Sequence, residues 1–592
     1  MSIGAIEYVN SLSVSKKEWS EFTPVKSPGY ADISPEICGV VVSRGFEPET
    51  FFNPSFKAMP DPYKLVGMEA AVKVFCDAVQ AGKKIGIFGD YDVDGATSTS
   101  LLFRWIGRMG GDSVFYIPDR MTEGYGPNVN AVRLLKEQES VEFLMFLDTG
   151  TTAHDSLDLA AELGMEIVTI DHHEQDSRDP KGILVNPNQR REEGREFGYL
   201  CTVGLVFLFL VGVQREMRSR GFFTEDRKEV DLREWLGIVA LGTVADLMPL
   251  VGLNRAYVTL GLPRMASIPG IKALSELNRS RKDNTPAEFN EHNCGFVYGP
   301  CINAAGRIGD TRTGTFLLST NDPDRAMEIA RDLVEINAER KAMTELAKEK
   351  AITLATTVYK DDPVIVVYDN DWHPGIVGIV AGRIREATGK PAIVMGRHGE
   401  NLSGSARTHE NFKIGAAVIE AKEKGLLIKG GGHHMAAGVT IAEDRVEEFR
   451  AFMNKAAEGT KAPPVRVDLA LPVGKLSVNL VQSMDRMQPF GMGNPKPKVV
   501  LYGGFISGTK VMNNGHVKIF LTGEAGNAEA ILFFGEETEL GRALLASKNK
   551  FVDILGTAQV NIWGTQQNAQ IKIEDAMIQG WNTLTSEHGE AA

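Results

Sequence analysis

The sequence predicts an α/β protein in which four parts follow one another. These parts are a parallel-sheet domain, a long connecting helix, a smaller α/β domain and a C-terminal OB-like β-barrel. Three observations predict them. Strands and helices alternate from residue 61 to about residue 260, which is typical of a parallel sheet. A helical pattern near 322–358 contains no glycine or proline after its start. Short alternating strands separated by glycine turns fill roughly the last 130 residues.

The domain boundaries follow from these changes of pattern. Residues 1–60 form an irregular lead-in, because "NPSF" and "MPDPY" interrupt any periodicity. The predicted domains after it are the parallel-sheet domain 61–320, the connecting helix 321–360, the smaller α/β domain 361–460 and the barrel 461–592.

Five apolar segments bounded by helical patterns are the predicted strands of the first sheet. They are "KKIGIFGD", "DSVFYIPD", "EFLMFLDTG", "MEIVTIDHH" and "GILVNP". The longest apolar run, "LCTVGLVFLFLVGV" at 200–213, is too short to span a bilayer comfortably and predicts a buried helix. In the smaller domain, the strands "DPVIVVYD" and "PAIVMGR" flank a helix.

Composition indicates a soluble cytoplasmic protein. Of 592 residues, 43% are hydrophobic and 24% charged, which is ordinary for a globular chain. The N-terminus lacks the basic and apolar regions of a signal peptide. Five scattered cysteines include no CxxC pair, which argues against a disulfide framework or a zinc ribbon and favours a reducing compartment. We therefore expect no membrane association.

Charge is unevenly distributed along the chain. The net charge of −13 disfavours nucleic acid as a partner. Residues 466–518, however, hold seven basic side chains against Asp468 and Asp485, a local surplus of five positive charges. This surplus favours nucleic-acid binding by the barrel. The alternative is a barrel that only packs against its neighbours.

The segment "GDYDVDG" places Asp90, Asp92 and Asp94 where a predicted strand leads into a helix. Alternate side chains of an extended segment point the same way, so these three carboxylates would repel one another unless a cation lay between them. A solvated acidic turn is the plainer alternative. An EF-hand is excluded, because its twelfth position would be Leu101 instead of a glutamate.

Further acids and imidazoles lie near strand ends or in apolar sequence. They are Asp148, Asp171, His172, His173 and Asp246. The carboxyl ends of parallel strands meet at one edge, so we expect Asp90, Asp92, Asp94, Asp148, His172 and Asp246 to share one cleft. Such ligands suit two Mn²⁺ or Mg²⁺ ions better than zinc. Taken singly, Asp246 could be structural, and Asp171 with its histidines could form a capping turn. The "DTG" of an aspartic protease is excluded, because no second copy exists.

Eight segments carry a resemblance to a known superfamily. "GDYDVDGATSTSLL", "LDTG", "IDHHEQD" and "ALGTVADLMPL" resemble, in order, the four motifs of the DHH phosphoesterase superfamily. "INAAGRIGDTRTG", "LSGSARTHENF", "GGGHHMAAG" and "PFGMGNPKP" are similar to its branch of single-strand-specific DNA exonucleases. The resemblance runs from about residue 60 to the C-terminus and implies a DHH catalytic domain, a DHH-associated domain and a nucleic-acid-binding OB domain.

The resemblance implies a 5′→3′ exonuclease that hydrolyses single-stranded DNA by a two-metal mechanism in DNA repair and recombination. It implies catalytic roles for His173 and Arg307. Its predicted substrate-binding residues are Arg120, Ser405, Arg407, His433 and His434. A terminal 5′ phosphate is the feature that Ser405 and Arg407 would hold.

The implied partners are single-stranded DNA with a 5′ phosphate, a helicase and a single-strand-binding protein. No GxxxxGK[ST] motif occurs, so the chain would not unwind duplexes by itself. We expect a monomer.

Several alternatives stay open at this point. The arginines could form surface ion pairs, and "GGGHHMAAG" could serve close packing of two lobes. A phosphodiesterase of the same superfamily that acts on small molecules or nanoRNA is a second enzyme class, although such chains are typically shorter and lack the barrel. A non-catalytic scaffold that has lost its metals is a third, and the intact acids count against it.

Overall fold

The computed structural model describes residues 13–20, 23–119, 123–124, 126–280, 283–460, 462–563 and 566–580. The chain divides into two compact units. One takes its described residues from Met1–Asn53, Lys461–Gln488 and Pro495–Ala592, and the other from Pro54–Thr460 and Pro489–Asn494. Among the described residues, no helix combines the length and the apolar composition needed to cross a bilayer.

The N-terminal segment is more regular than the irregular lead-in that the sequence predicts. It contains the helices α1 (Pro35–Ser43) and α2 (Pro48–Phe52), each with proline in its first turn. Arg44, just after α1, forms a buried ion pair of 3.2 Å with Asp468. This segment therefore belongs to the unit that contains the C-terminal residues.

The second unit begins with a fully parallel five-stranded sheet in the order β2-β1-β3-β4-β5. Its strands are β1 (Ile85–Gly89), β2 (Ser113–Tyr116), β3 (Phe143–Leu147), β4 (Glu166–Ile170) and β5 (Ile183–Val185). All five predicted strands are confirmed. Chain order reverses between β1 and β3, and ligands of open α/β sheets bind at such a switch point.

Helices cover both faces of this sheet, as predicted. The helices in this part of the chain are α3 (Met68–Gln80), α4 (Val93–Arg108), α5 (Val129–Glu137), α6 (His154–Glu162), α7 (Thr202–Ser219), α8 (Leu236–Ala245), α9 (Gly252–Gly261), α10 (Pro269–Leu277), α11 (Glu291–Asn293), α12 (Gly299–Ile308) and α13 (Thr313–Ser319). The apolar run at 200–213 is confirmed as a buried helix, since it forms most of α7. A single apolar core joins α3, α4, α7 and α8 to β1 and β3.

The long helix α14 (Pro323–Thr357) has 35 residues, and Asp322 caps its N-terminus. After it come β6 (Ile365–Asp369), α15 (Val377–Thr388), β7 (Ala392–His398), β8 (Asn401–Arg407), α16 (Ile414–Glu423), β9 (Lys429–Gly432), β10 (Ala436–Ile441) and α17 (Val446–Ala456). The strands form a second sheet in the order β6-β7-β8-β10-β9. The connecting helix and the smaller α/β domain are thus confirmed.

The first unit contains a closed β-barrel near the C-terminus, which confirms the predicted OB-like fold. Its elements are β11 (Leu469–Pro472), α18 (Val478–Asp485), β12 (Lys498–Met512), β13 (His516–Gly523), β14 (Gly526–Leu532), α19 (Glu539–Leu545), β15 (Phe551–Trp563) and β16 (Gln566–Ile578). The strands β12, β13, β14, β16 and β15 follow one another, and pairing of β12 with β15 closes the barrel.

The basic surplus of residues 466–518 is smaller in the fold than in the sequence. Four of its seven cations pair with carboxylates of the same unit. The pairs are Arg466–Asp468, Arg486–Asp32, Lys498–Glu574 and Lys518–Glu529. Three of these acids lie outside the window in sequence. Charge alone therefore supports nucleic-acid binding by the barrel less than the sequence indicates.

Candidate metal centre

The acidic turn between β1 and α4 is shaped by hydrogen bonds to Asp92. This residue is the N-cap of α4, and its Oδ1 accepts the backbone N–H groups of Asp94 at 2.9 Å and Gly95 at 3.1 Å. A Cβ atom at Gly95 would lie 2.3 Å from the carbonyl oxygen of Asp90, so the turn requires glycine there. The turn thus holds three carboxylates at the carboxyl end of β1.

Asp94 is fully buried and is bound by the start of another helix. Its two carboxylate oxygens accept the N–H groups of Thr202 at 2.7 Å and Val203 at 2.9 Å. These residues are the first two of α7, whose N-terminus favours negative charge. Even so, burial and the charge of Asp92 raise the pKa of Asp94 despite the neighbouring His172.

Asp148 follows β3 in an unusual backbone conformation. Its φ is 62°, in the left-handed region that a residue other than glycine rarely adopts. The side chain is buried, and Oδ1 accepts a hydrogen bond from the Thr202 hydroxyl at 3.0 Å. Burial, followed by the charges of Asp94 and other nearby carboxylates, raises the pKa of Asp148 well above its usual value.

Asp246 joins the cluster of Asp94 and Asp148, and it follows the C-terminus of the helix α8 instead of a strand. The helix lies close to α4, because Gly242 faces Thr97 where a Cβ atom would come within 2.4 Å of its hydroxyl. Oδ2 of Asp246 is buried and has no hydrogen-bond partner among the described residues. Burial and the charge of Asp94 raise the pKa of Asp246 well above its usual value.

His172 joins these carboxylates. Its Nε2 lies 3.4 Å from Asp148 Oδ1, 3.7 Å from Asp246 Oδ2 and 3.9 Å from Asp94 Oδ2. Burial lowers its pKa, which favours the neutral imidazole that binds metals.

Three overlapping groups could each hold an ion, because their potential ligand atoms lie within 4.8 Å of one another. They are Asp148, His172 and His173; Asp94, His172 and Asp246; and Asp90, Asp92 and Asp148. The structure therefore brings together all six predicted ligands.

Asp171 orients the two histidines that follow it after β4. It is fully buried, and its Oδ1 contacts Nδ1 of His173 at 2.8 Å and the N–H of His172 at 2.7 Å. Burial lowers the pKa of His173, but the hydrogen bond and charge of Asp171 outweigh it and raise that pKa to about 9. For Asp171, hydrogen bonds from His173 and Thr151 outweigh burial and hold its pKa well below the usual range.

The polar residues that support these side chains were not predicted from the sequence. Asn186 donates to Thr151 Oγ1 at 2.9 Å and to the His173 carbonyl at 2.8 Å. Asn188 donates to the His172 carbonyl at 2.5 Å. Both follow β5 in "VNPN", so polar residues at the end of an apolar strand were the signal available.

Four of the predicted substrate-binding residues lie elsewhere in the second unit, namely Ser405, Arg407, His433 and His434. Ser405 and Arg407 lie on β8, and a Cβ atom at Gly378 would be 3.2 Å from both Ser405 Oγ and Arg407 Nη2. The hydroxyl group of Ser405 and the guanidinium group of Arg407 therefore both face the space beside Gly378. Burial and the charge of Arg385 lower the pKa of Arg407. No carboxylate of the described chain forms an ion pair with Arg407.

Arg307, on α12, donates to the carbonyl of Gly375 at 2.9 Å. Its neighbour Gly306 packs on Tyr91, inside the acidic turn. The predicted role of Arg307 stays a prediction, although its helix contacts the turn that carries the carboxylates.

His433 and His434 are exposed at the turn between β9 and β10. The glycines before them permit close packing, since a Cβ atom at Gly430 would meet Val418 and Leu427 within 3.0 Å. Their role stays a prediction. Arg120 lies outside the described residues.

The cluster fits divalent cations. Burial and the charge of Asp92 raise the pKa of Asp90 to about 7, and Asp90 shares one of the three groups with Asp148, whose pKa is also raised. A buried carboxylate oxygen without a partner, as in Asp246, is unfavourable unless a cation compensates it.

Comparison with known proteins agrees with this architecture. The model of the DHH family, N-terminal domain, matches residues 84–243, the DHHA1 domain matches 361–459 and the RecJ OB domain matches 467–575. The single-stranded-DNA-specific exonuclease RecJ of Bacillus subtilis is 32% identical over 93% of this chain and 69% of its own length.

Two solved structures are also similar. One is Mn²⁺-bound RecJ of Thermus thermophilus, with 26% identity, a TM-score of 0.77 and coverage of 92% of this chain and 76% of that chain. The other is an exonuclease RecJ bound to manganese, with 30% identity, a TM-score of 0.56 and coverage of 67% of this chain and 96% of that chain.

We predict that metal-free protein responds to Asp90→Asn in a pH-dependent way. The pKa of Asp90 is higher in the folded state than in the unfolded state, so folding favours the protonated carboxyl. The stability that this carboxyl contributes is fully present below about pH 4 and is lost as the pH rises through about 7. In EDTA, the variant should melt a few degrees higher than the wild type at pH 8 and at the same temperature at pH 4, since 1 kcal/mol shifts the Tm of a unit of this size by about 1 °C. Thermal unfolding at both pH values measures this. An equal difference in Tm between the variant and the wild type at pH 4 and pH 8 would contradict this prediction.

We also predict that Thr202→Val weakens metal binding. The change removes the hydroxyl that bonds Asp148 but keeps the backbone N–H that bonds Asp94. Loss of such a supporting group typically reduces metal affinity about 10- to 100-fold. Calorimetric Mn²⁺ titration measures it, with Thr202→Ser as the matched control that keeps the hydroxyl. Equal affinities for the two variants would refute this role.

Proposed function

Because the chain belongs to the RecJ family of the DHH superfamily, we propose that it is a metal-dependent exonuclease that degrades single-stranded DNA in the 5′→3′ direction. The family membership confirms the resemblance that the motifs indicate. The observation that carries the proposal is the convergence of five aspartates and a histidine at the switch point of the sheet. Relatives are named as single-stranded-DNA-specific exonucleases.

Two Mn²⁺ or Mg²⁺ ions are the proposed cofactors, held by Asp90, Asp92, Asp94, Asp148, His172 and Asp246. Oxygen-rich ligation suits both cations, and similar RecJ structures contain manganese. When bound, the ions supply charge neutralisation of the phosphodiester and activation of a water nucleophile.

His173 is the proposed catalytic group beside the scissile phosphate. Its Nδ1 is engaged by Asp171, which fixes the ring and leaves Nε2 for a ligand. Its side chain is half exposed, whereas that of His172 is 14% exposed. This difference supports a substrate contact for His173 and ligation for His172.

The chain direction depends on where a terminal phosphate is held. Ser405 and Arg407 form the proposed 5′-phosphate site, with Arg120 and Arg307 contributing cationic charge. Arginine binds phosphate oxygens with its planar guanidinium group, and Arg407 has no carboxylate ion pair that would compete within the described chain. His433 and His434 are proposed DNA contacts because both are exposed.

The barrel is the proposed second DNA-binding element. The match to the RecJ OB domain supports this more than its charge, since four of its basic side chains are paired. OB folds bind single strands mainly through stacking and backbone contacts.

In the cell, a helicase and a single-strand-binding protein are the proposed partners that deliver substrate for DNA repair and recombination. We propose a cytoplasmic monomer. The five free, buried cysteines support a reducing compartment.

A phosphodiesterase that acts on dinucleotides or nanoRNA is the second candidate, because it would use the same metal centre. The match to the RecJ OB domain, and 32% identity to an exonuclease over 69% of its length, favour the longer substrate. Intact carboxylates at every motif argue against a non-catalytic scaffold.

We predict that the protein with Mn²⁺ releases label at once from 5′-labelled single strands and only late from 3′-labelled ones. Asp148→Asn, which keeps the size of the side chain, should reduce turnover at least about 1000-fold without lowering the Tm of the metal-free protein, because it removes a buried charge. A 5′-hydroxyl strand should be a poorer substrate than a 5′-phosphorylated strand. Gel electrophoresis of the products measures the order of label release, the turnover of the variant and the preference for a 5′ phosphate. Preferred cleavage of a dinucleotide, or early release from the 3′ end, would contradict the proposal.

A further inference from the structure

Leu247, the residue after Asp246, combines a strained backbone with an exposed apolar side chain. Its φ is 56°, and its side chain is 68% exposed. Among described residues other than glycine, only Leu247 and Phe534 have both a positive φ and a large apolar side chain. Asp148, a proposed metal ligand, shares the positive φ.

The strain arises from the way α8 ends. The N–H of Leu247 donates to the carbonyl of Val244 at 3.1 Å, and the N–H of Met248 donates to that of Thr243 at 3.2 Å. These two bonds define a Schellman motif, in which glycine is the favoured residue at the position of Leu247. A leucine there costs conformational free energy, and its exposure means that burial does not offset this cost.

The loop after Leu247 is held in place within the same unit. The N–H of Leu250 donates to the carbonyl of Met492 at 2.7 Å. Cβ atoms at Gly491 and Gly493 would come within 2.8 Å of Leu250 and 3.0 Å of Pro249. The segment 489–494 therefore packs tightly on residues 249–251, and Leu247 extends from a supported loop.

Leu247 is also next to the metal centre. Its Cα atom is about 3.8 Å from that of Asp246, as in any trans peptide. Asp246 Oδ2 lies 3.7 Å from His172 Nε2. The exposed apolar residue Leu247 therefore adjoins a proposed metal ligand, close to the place where a nucleotide would be bound for hydrolysis.

We propose that Leu247 packs against the nucleobase of the nucleotide whose phosphate lies at the metal centre, and so positions single-stranded DNA for hydrolysis. This inference rests on the proposed function. An aliphatic side chain can pack on the face of any base without hydrogen bonds, so the contact would be independent of base identity. One leucine is too small for a protein partner, since stable interfaces bury at least about 1,200 Å².

The test compares Leu247→Gly with the wild type on two Mn²⁺-dependent substrates, an ordinary 5′-phosphorylated single strand and one with abasic sites at its 5′ nucleotides. Glycine removes the side chain and relieves the strain, so Tm should stay equal or rise. On the ordinary strand kcat/KM should fall about tenfold. On the abasic strand the two proteins should be equal, because no base is present to contact. Leu247→Met should restore most of the activity.

Leu346→Ala is the matched control, since that leucine is 73% exposed on α14, and it should behave as the wild type. Unchanged activity of Leu247→Gly on the ordinary strand, or an equal loss on both strands, would overturn the inference. Wild-type protein that fails to digest either strand would instead refute the proposed function.

Discussion

Repulsion between buried carboxylates is the constraint on which the rest of the structure depends. Asp90, Asp94, Asp148 and Asp246 all have raised pKa values, because burial and like charges oppose their ionised forms. A fold that only needed stability would not collect them. The surrounding structure is therefore best understood as the means of holding these groups together until cations compensate their charge.

Different local devices hold each carboxylate. The N-terminus of α7 binds Asp94 with two N–H groups, and a hydroxyl from the same helix bonds Asp148. Asp171 carries no ligand role in this scheme, but it aligns the two histidines beside it through its Oδ1. Rigid support of this kind reduces the reorganisation needed when ions and substrate bind.

Much of this could be predicted from the sequence, because strand periodicity and the rule that parallel strand ends converge place Asp90, Asp148 and His172 together. Other features could not. Thr202 and Asn186 act through hydrogen bonds to residues that are distant in sequence, which leave no periodic signal. The ion pairs of Arg486 and Lys498 involve acids outside the basic window, so a local charge count overstated the free charge. The conformation of Leu247 depends on how α8 ends in three dimensions.

The presence of two cations among these carboxylates is the central claim, and one measurement tests it most directly. The measurement is anomalous diffraction at the manganese edge from crystals of the wild-type protein grown with Mn²⁺. We expect two peaks, one within about 2.0–2.6 Å of ligand atoms of Asp90, Asp92 or Asp148 and one beside Asp94, His172 or Asp246. Absence of peaks from this cluster, or peaks bound only at other acidic residues, would contradict it.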